Sequence, residues 1–292
     1  MKHRCLGSLC IALITVASAV SAAEKAGDES FLWRVSSGDR TISLLGSIHY
    51  MKADAYPLSP AIEGAFKDAG IVVFETDIDQ MGRAAVLMLE AGTLSGDEIL
   101  KDVVPKELYQ EVVQRLDDLE MGTGAFKKMK PWMVAMALTS CELMRAGYLG
   151  SEGIDSYFSS RAKDSGKPQR GLETIEFQTS LFVDMSAEES VEFLQYSLTD
   201  LDTMIPLVDE IVVAWKRGDS ARIEDLLVDG FSDHEALFDR LVTERNLRWL
   251  PQIEELFRGD VDAMVVVGSL HLVGEQGLIE LLRAKGYVVE QL

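Results

Sequence analysis

Two short stretches near opposite ends of the chain share one pattern: an apolar run followed by Gly, Ser, one apolar residue and His. The first copy spans residues 42–49 and the second spans residues 264–271. Apolar runs that stop at such a break are typical of buried strands. The chain has four histidines, and two of them occupy the same place in this pattern. The pattern therefore predicts that the fold brings His49 and His271 together.

The first copy belongs to a predicted β-hairpin, and a parallel strand follows it. Residues 31–36 and 41–45 read as short strands that flank a turn signal, Gly38-Asp39. A helical segment then leads to residues 71–74, a continuous apolar run that we expect to form a buried strand of the same sheet. The order strand, helix, strand predicts a right-handed parallel crossover.

The middle of the chain is helical, whereas the strands lie toward its two ends. Helical patterns dominate residues 81–165 and 187–257, and a short strand-like stretch at 168–173 separates them. Strand patterns return at 262–267 and 287–290. We therefore expect an α/β (α+β) fold, in which the two helical segments are large insertions into a sheet.

Residues 1–23 have the pattern of a signal peptide, with a basic start, an apolar run and a small-residue cleavage site near Ala22 or Ala23. The apolar run is shorter than the ~20 residues that a spanning helix needs, so no stable membrane anchor is expected. After cleavage only Cys141 remains, which rules out an intramolecular disulfide and suits a bacterial periplasm. The sequence therefore predicts an exported, periplasmic protein whose mature part, residues 24–292, is one domain.

The charge of the chain excludes one class of partner. Its formal net charge is −20, from 28 basic and 48 acidic residues. Such a surface repels the phosphates of nucleic acids and anionic membranes. Nucleic acid is therefore excluded as a partner, and the acidic residues, spread along the helices, are those of a solvated surface.

Three predicted strand ends carry side chains that bind metals. His49, Glu75 and His271 each follow an apolar run, and the carboxyl ends of parallel strands meet in one crevice. Two imidazoles and one carboxylate are a common ligand set for a divalent transition metal. A single His after a strand is more often a hydrogen-bonded structural residue, but the repeated context favours function. Serine-hydrolase chemistry fits worse, because neither Ser47 nor Ser269 has Gly both two residues before and two residues after it.

The Gly-Ser pairs are expected to support the site. Gly46 and Gly268 would let the backbone turn sharply at a strand end or allow close approach to a ligand. Ser47 and Ser269 would provide a hydroxyl or a backbone N–H that orients a group in the crevice.

These motifs resemble those of the TraB/GumN family, which belongs with the Tiki-type metalloprotease superfamily. The resemblance spans essentially the mature chain in the family order, and the GumN-like branch is the most similar. The paired G-x-x-H motifs with an intervening Glu are its most specific part. The segments that carry it are residues 44–49, Glu75, residues 153–155, residues 171–174 with Gln178, residues 244–246 with Trp249, and residues 267–272 before Gly274.

The resemblance implies a central mixed β-sheet built from two related β/α halves with large helical insertions. It also implies a divalent-metal-dependent peptidase, with Mn, Zn or Co held by His49, Glu75 and His271. Glu75 would either ligate the metal or act as general base, and both roles stay open.

Four further residues are implied as part of the site. Arg245 and Asn246 match an Arg-Asn pair of the family and would contact the substrate or the transition state, with Arg245 stabilising negative charge. Asp155 and Glu173 would either brace the site or enter it. Without the resemblance, residues 244–248 would read as an ordinary exposed helix face with an i, i+4 ion pair.

The leading hypothesis is thus an exported metal-dependent hydrolase, a peptidase acting on peptide or protein substrates. The alternative is a periplasmic binding protein without turnover that holds an apolar peptide or haem in the same crevice. A third reading gives the histidines a structural role only. The oligomeric state stays open.

Overall fold

The computed structural model describes residues 29–228 and 235–292. Its strands are β1 (Leu32–Ser37), β2 (Arg40–Ser47), β3 (Ile71–Phe74), β4 (Gln169–Gly171), β5 (Ala263–Gly268) and β6 (Val288–Gln291). Within the described residues these strands form one mixed sheet in the order β4-β3-β5-β2-β1-β6. The predicted signal peptide, residues 1–23, and the predicted start of the mature domain at residue 24 lie outside the described residues.

The hairpin of β1 and β2 forms where the turn signal predicts it. Gly38 has a φ of +58°, in the left-handed region that glycine enters without steric cost. Leu32 then lies opposite Leu45 in the antiparallel ladder. β6 pairs antiparallel with the other side of β1, so the antiparallel strands form one edge of the sheet.

β5 lies at the centre of the parallel part of the sheet, between β2 and β3. Residues 264–267 are fully buried, and a parallel strand buried on both faces reads as a continuous apolar run. Ser47 lies opposite Gly268, and Phe74 lies opposite Val266. The carboxyl ends of β2, β3 and β5 therefore meet at one edge of the sheet, as the strand-end argument predicts.

Helices fill the long connections between the strands. Their bounds are α1 (Pro60–Asp68), α2 (Met81–Ala91), α3 (Leu100–Val103), α4 (Lys106–Asp118), α5 (Pro131–Arg145), α6 (Ile154–Asp164), α7 (Ile175–Val183), α8 (Ala187–Lys216), α9 (Ser220–Val228), α10 (Glu235–Phe238), α11 (Glu244–Leu256) and α12 (Leu278–Ala284). Helices α2 to α6 fall within the predicted insertion at 81–165, and α8 to α11 fall within that at 187–257. The mixed α/β fold with large helical insertions is confirmed.

Two clusters of buried apolar side chains hold the fold, one around the sheet and one among α3, α4, α5 and α8. Helix α8 belongs to both, because Leu194 and Leu198 pack in the helical cluster while Ile211 and Trp215 pack in the sheet cluster. This helix of 30 residues continues through Pro206, although proline removes one backbone hydrogen bond. We infer that packing at both ends of α8 keeps the helix continuous through Pro206. Among the residues that the structure describes, no helix is both long and apolar enough to cross a bilayer.

Candidate functional site

His49, Glu75 and His271 lie around one small space at the ends of β2, β3 and β5. A Cβ atom placed on Gly268 would lie 3.2 Å from Glu75 Oε1, 3.6 Å from His271 Cδ2 and 3.7 Å from His49 Nε2. Gly268 has φ −51° and ψ 139°, a conformation that other residues adopt freely. Glycine at position 268 therefore serves to keep the space open, since the backbone conformation there does not itself require glycine.

The two copies of the motif lie side by side but are not equivalent. They are offset by one residue, because Ser47 and not Gly46 lies opposite Gly268. Ser269 Oγ donates to the carbonyl of Ser47 at 2.9 Å, which fastens the second copy to the first. A Cβ on Gly46 would overlap the ring of Phe31, so this glycine allows close packing inside the sheet core.

His49 stands on the open side of the site, with its side chain 60% exposed. Its Nδ1 lies 2.8 Å from Asp155 Oδ2, and Ser47 Oγ donates to the other oxygen of this carboxylate at 2.9 Å. The negative charge of Asp155 raises the pKa of His49 to about 9. Asp155 thus fixes the ring so that Nε2 faces the space in front of Gly268.

Asp155 reaches His49 because the start of α6 docks against the chain that follows β2. The N–H of Ile154 donates to the carbonyl of Ile48 at 3.0 Å. A Cβ on Gly153 would overlap the carbonyl of His49. The glycine before α6 therefore permits the close approach that places Asp155 in the site.

His271 is the buried counterpart, with an exposed fraction of 5%. Its Nδ1 lies 2.7 Å from Asn246 Oδ1, while the amide nitrogen of Asn246 donates to the carbonyls of His271 (3.1 Å) and Gln276 (2.8 Å). The amide oxygen must therefore face the ring, which assigns the ring proton to Nδ1. Burial lowers the pKa of His271 to about 3, so the ring is neutral at neutral pH and Nε2 is an acceptor.

Glu75 is buried and ionised. Its Oε1 accepts from the N–H of Gly268 at 2.7 Å. Its Oε2 accepts from Arg245 Nη2 at 2.5 Å and from Gln178 Nε2 at 3.2 Å. Burial is the largest single effect and acts to raise the pKa of Glu75. The positive charge of Arg245, the two histidines and the hydrogen bond from Gly268 together outweigh burial and hold this pKa well below its usual range.

Every N–H of Arg245 has an acceptor inside the protein. Nε bonds both oxygens of Glu173 at 3.2 Å, and Nη2 bonds Glu173 Oε1 (2.7 Å) and Glu75 Oε2 (2.5 Å). Nη1 bonds the carbonyl of Leu241 (2.9 Å) and Nε2 of His271 (3.0 Å). A guanidinium has five N–H donors, so none is left for a substrate oxygen in this arrangement. Burial would lower the pKa of Arg245, but the two carboxylates outweigh it and raise this pKa.

Glu173 and Trp249 brace this guanidinium. Trp249 Nε1 donates to Glu173 Oε2 at 3.0 Å, and Arg245 lies over the Trp249 ring, 4.6 Å from its centroid. The same ring packs against His271, with 4.4 Å between ring centroids. Burial raises the pKa of Glu173, and Arg245 offsets part of that shift. Glu173 therefore acts on the site through Arg245.

The start of α11 positions the side chains that this helix contributes to the site. A π-helical turn, Asp239–Thr243, leads directly into it, and such turns are frequent at functional sites. Its Leu241 carbonyl accepts one N–H of Arg245. Arg245, Asn246 and Trp249 are all buried on the first turns of α11.

Two polar side chains enter the site although they were not assigned to it from sequence. Gln178 bonds Glu75, and Trp249 bonds Glu173. Trp249 lies four residues after Arg245, so both side chains lie on one helix face. This spacing could have indicated that Trp249 belongs to the site. For Gln178 the family resemblance is the only sequence signal.

The side chains at this site are of the types that bind a divalent cation, but they would have to rearrange before they could hold one. Both histidines have Nδ1 held by an outer partner and Nε2 turned inward, and Glu75 is ionised. However, Nε2 of His271 and one oxygen of Glu75 are bonded to Arg245. Among the described residues, no three His, Cys, Asp or Glu side chains converge closely enough to hold an ion as they stand.

Comparison with known proteins identifies the family to which the chain is similar. The model of the TraB/PrgY/gumN family matches residues 31–291. The chain is 26% identical over 246 residues to the uncharacterized protein YbaP of Escherichia coli (strain K12), which covers 84% of this chain and 89% of that protein. The uncharacterized protein YbaP of Shigella flexneri matches with the same identity and coverage. No solved structure matches the chain.

Proposed function

This chain belongs to the TraB/PrgY/gumN family, and on that premise we propose that it is an exported, divalent-metal-dependent hydrolase that cleaves peptides. The observation that carries the proposal is the paired anchoring of two histidines. Nδ1 of His49 is held by Asp155, and Nδ1 of His271 is held by Asn246. Histidines that ligate metals almost always have the other ring nitrogen held in this way. Both rings face the space that Glu75 also faces.

The ligands would be Nε2 of His49, Nε2 of His271 and an oxygen of Glu75. A divalent ion such as Mn, Zn or Co would supply an acidic bound water and polarise the scissile carbonyl. A histidine must be unprotonated to ligate a metal. Burial already keeps His271 neutral, whereas His49, whose pKa Asp155 raises, would have to release a proton.

Glu75 can serve either as ligand or as general base, and both roles use the same atom. Oε2 is held by Arg245 and Gln178, whereas Oε1 lies beside the space in front of Gly268. As ligand, Glu75 would bind the ion through Oε1. As base, it would take a proton at Oε1, with Arg245 keeping the carboxylate ionised in the resting protein.

The exposure of the two histidines sets the direction of substrate approach. His49 is 60% exposed, whereas His271 is buried. A substrate would therefore reach the site from the His49 side. The peptide class of substrate rests on the family resemblance, and the net charge of −20 disfavours polyanionic substrates.

Export is part of the proposal and rests on residues 1–23. Cleavage near Ala22 or Ala23 would leave a mature chain that begins at residue 23 or 24. Intact-mass measurement on protein from the periplasmic fraction tests this. An uncleaved chain found only inside the cell would contradict it.

The alternative of a binding protein for haem or an apolar peptide has less support. The space between the histidines is bordered by Oε1 of the ionised Glu75 and by the exposed ring of His49. A flat apolar ligand would cover these two groups without adding a polar partner for either. A visible absorption band on haem titration that is lost in the histidine variants would favour this alternative.

Peptide hydrolysis tests the proposed function. We expect turnover of a mixed peptide library by the metal-loaded protein, loss of turnover with chelator, and loss in His49→Ala and His271→Ala. Glu244→Gln is the control, since Glu244 is 60% exposed on the same helix as Arg245 and should leave turnover unchanged. Turnover that survives chelator and both histidine substitutions contradicts the proposal, as does a folded, metal-loaded protein that cleaves no peptide.

A further inference from the structure

We propose that Arg245 occupies the cation position of this site at rest and must release His271 before His271 can ligate an ion. This inference rests on the metal site of the proposed function. It makes Arg245 an internal cation that competes with the metal, so that metal binding and a rearrangement of Arg245 are one event.

The first support is the single lone pair of His271. With the proton on Nδ1, the ring offers one acceptor, Nε2. Arg245 Nη1 already donates to Nε2 at 3.0 Å. A lone pair that accepts this N–H is not available to a metal, so the two interactions exclude each other.

The second support is that His271 has no other nitrogen to offer. Releasing Nδ1 as a ligand would require the proton to move to Nε2, where Arg245 donates. It would also require Asn246 to turn its amide, which donates to the carbonyls of His271 and Gln276. The exchange must therefore take place at Nε2.

The third support is electrostatic. The guanidinium of Arg245 lies against two buried carboxylates, Glu75 and Glu173, so two negative charges face one positive charge. This excess negative charge suits a further cation. A divalent ion close to the guanidinium would repel it strongly in a buried site, which drives the two cations apart.

Arg245 has partners to which it can withdraw. Glu173 bonds both Nε and Nη2, and the Leu241 carbonyl bonds Nη1. The guanidinium can therefore give up His271 and Glu75 while it keeps its hydrogen bonds to Glu173 and to the Leu241 carbonyl. The loss of one bond at Nη1 and one at Nη2 would free two N–H donors for a carbonyl oxygen of the substrate. The resting role of Arg245 and its expected role in stabilising negative charge are then two states of one side chain.

Calorimetric titration with Mn²⁺ or Zn²⁺ alone tests the inference. Arg245→Met removes the competing cation and leaves both buried carboxylates without a positively charged partner, so this variant should bind the ion at least about tenfold more tightly than the wild-type protein. Arg248→Met is the matched control, because Arg248 lies on the same helix, is 56% exposed and stands 3.8 Å from Glu244. The control should bind the ion with wild-type affinity.

The outcomes separate the inference from the proposed function. Tighter binding in Arg245→Met than in the wild type and in Arg248→Met supports the inference. Equal or weaker binding in Arg245→Met overturns it and leaves the metal site standing. Absence of binding in all three folded proteins overturns the metal site and the inference together.

If Arg245→Met does not fold, the exchange between Arg245 and the metal at His271 can be measured in the wild-type protein. Nitrogen-15 NMR of the metal-free protein should show His271 with a proton on Nδ1 and a hydrogen-bonded Nε2. Saturation with Zn²⁺ should shift the Nε2 resonance of His271 and the guanidinium resonances of Arg245 together. Zn²⁺ binding that shifts His49 but leaves both of those sets unchanged overturns the inference.

Discussion

His49 and His271 hold the same place in two copies of one motif, yet the structure gives them opposite surroundings. His49 is exposed and bonds the carboxylate of Asp155, whereas His271 is buried and bonds the amide of Asn246. The carboxylate raises the pKa of one ring, and burial lowers that of the other. The pair therefore divides into an outer histidine that can be charged and an inner one that stays neutral.

Asp155→Asn should lower the pKa of His49 from about 9 toward the ordinary value of about 6.5. Because the folded-state pKa of His49 is raised, the His49–Asp155 pair stabilises the fold fully at pH values below the pKa of the unfolded state. This stabilisation is lost as the pH rises through the folded-state pKa. Because His49 is 60% exposed, solvent screens the effect on unfolding. Proton NMR titration of the His49 ring is therefore the measurement.

Asp118→Asn serves as the control for that titration. Asp118 is exposed on α4, and its carboxylate accepts from Gln114. The control should leave the His49 titration unchanged. A pKa of His49 that is the same in wild type and Asp155→Asn would contradict the pairing.

Gly268→Ala should weaken metal binding more than it weakens the fold. The backbone of Gly268 suits alanine, but its Cβ would enter the space in front of Glu75, His49 and His271. We expect the free energy of unfolding to change by about 1 kcal/mol or less, and metal affinity to fall at least about tenfold. Gly64→Ala is the control, since nothing lies within 4 Å of its added Cβ. Unchanged affinity in Gly268→Ala would show that this space is not the metal site.

Glu75→Gln should cost more stability than Glu173→Gln in metal-free protein near neutral pH. The folded-state pKa of Glu75 is lowered, so its ionised form stabilises the fold above its unfolded pKa. Burial raises the folded-state pKa of Glu173, so ionisation of Glu173 adds no such stability. We expect a loss of about 3 kcal/mol for Glu75→Gln. Urea unfolding with chelator measures both losses.

The cost of Glu75→Gln should shrink in acid. The stabilisation by Glu75 is present above its unfolded pKa and is lost as pH falls toward the lowered folded pKa. Repeating the unfolding series at about pH 7 and about pH 4 tests this sign. A cost that is the same at both pH values, or a greater cost for Glu173→Gln, would contradict the assignment of charges.

Asn246→Ala should destabilise the fold by about 2–4 kcal/mol, because it leaves the carbonyl of His271, the carbonyl of Gln276 and a ring nitrogen without partners in a buried place. Gln114→Ala, which removes an exposed amide, should change stability by about 0.5 kcal/mol or less. Urea unfolding compares the two. Equal, small losses would mean that Asn246 does not hold His271.

Local sequence patterns predict the elements of this fold well. The apolar runs at 71–74 and 264–267 become buried parallel strands, and the Gly38-Asp39 signal becomes the hairpin turn. The strand order is a different matter. Which strand inserts between β2 and β3 depends on pairings between residues about two hundred positions apart, and no local pattern encodes them.

The site shows the same limit. Strand ends alone predict that His49, Glu75 and His271 converge. The pairing of His49 with Asp155, and the hydrogen bonds of Arg245, involve side chains on α6 and α11, whose docking is set by tertiary packing. The family resemblance names Asp155, Glu173 and Arg245, but only the structure shows that Arg245 bonds His271.

The most direct test of the metal site is elemental analysis of protein purified without chelator from cells grown with Mn, Zn and Co. The account predicts one divalent ion per chain in the wild type and in Arg248→Met, and its loss in folded His49→Ala and His271→Ala. Wild-type protein without bound metal, or bound metal that both histidine substitutions leave in place, would contradict it.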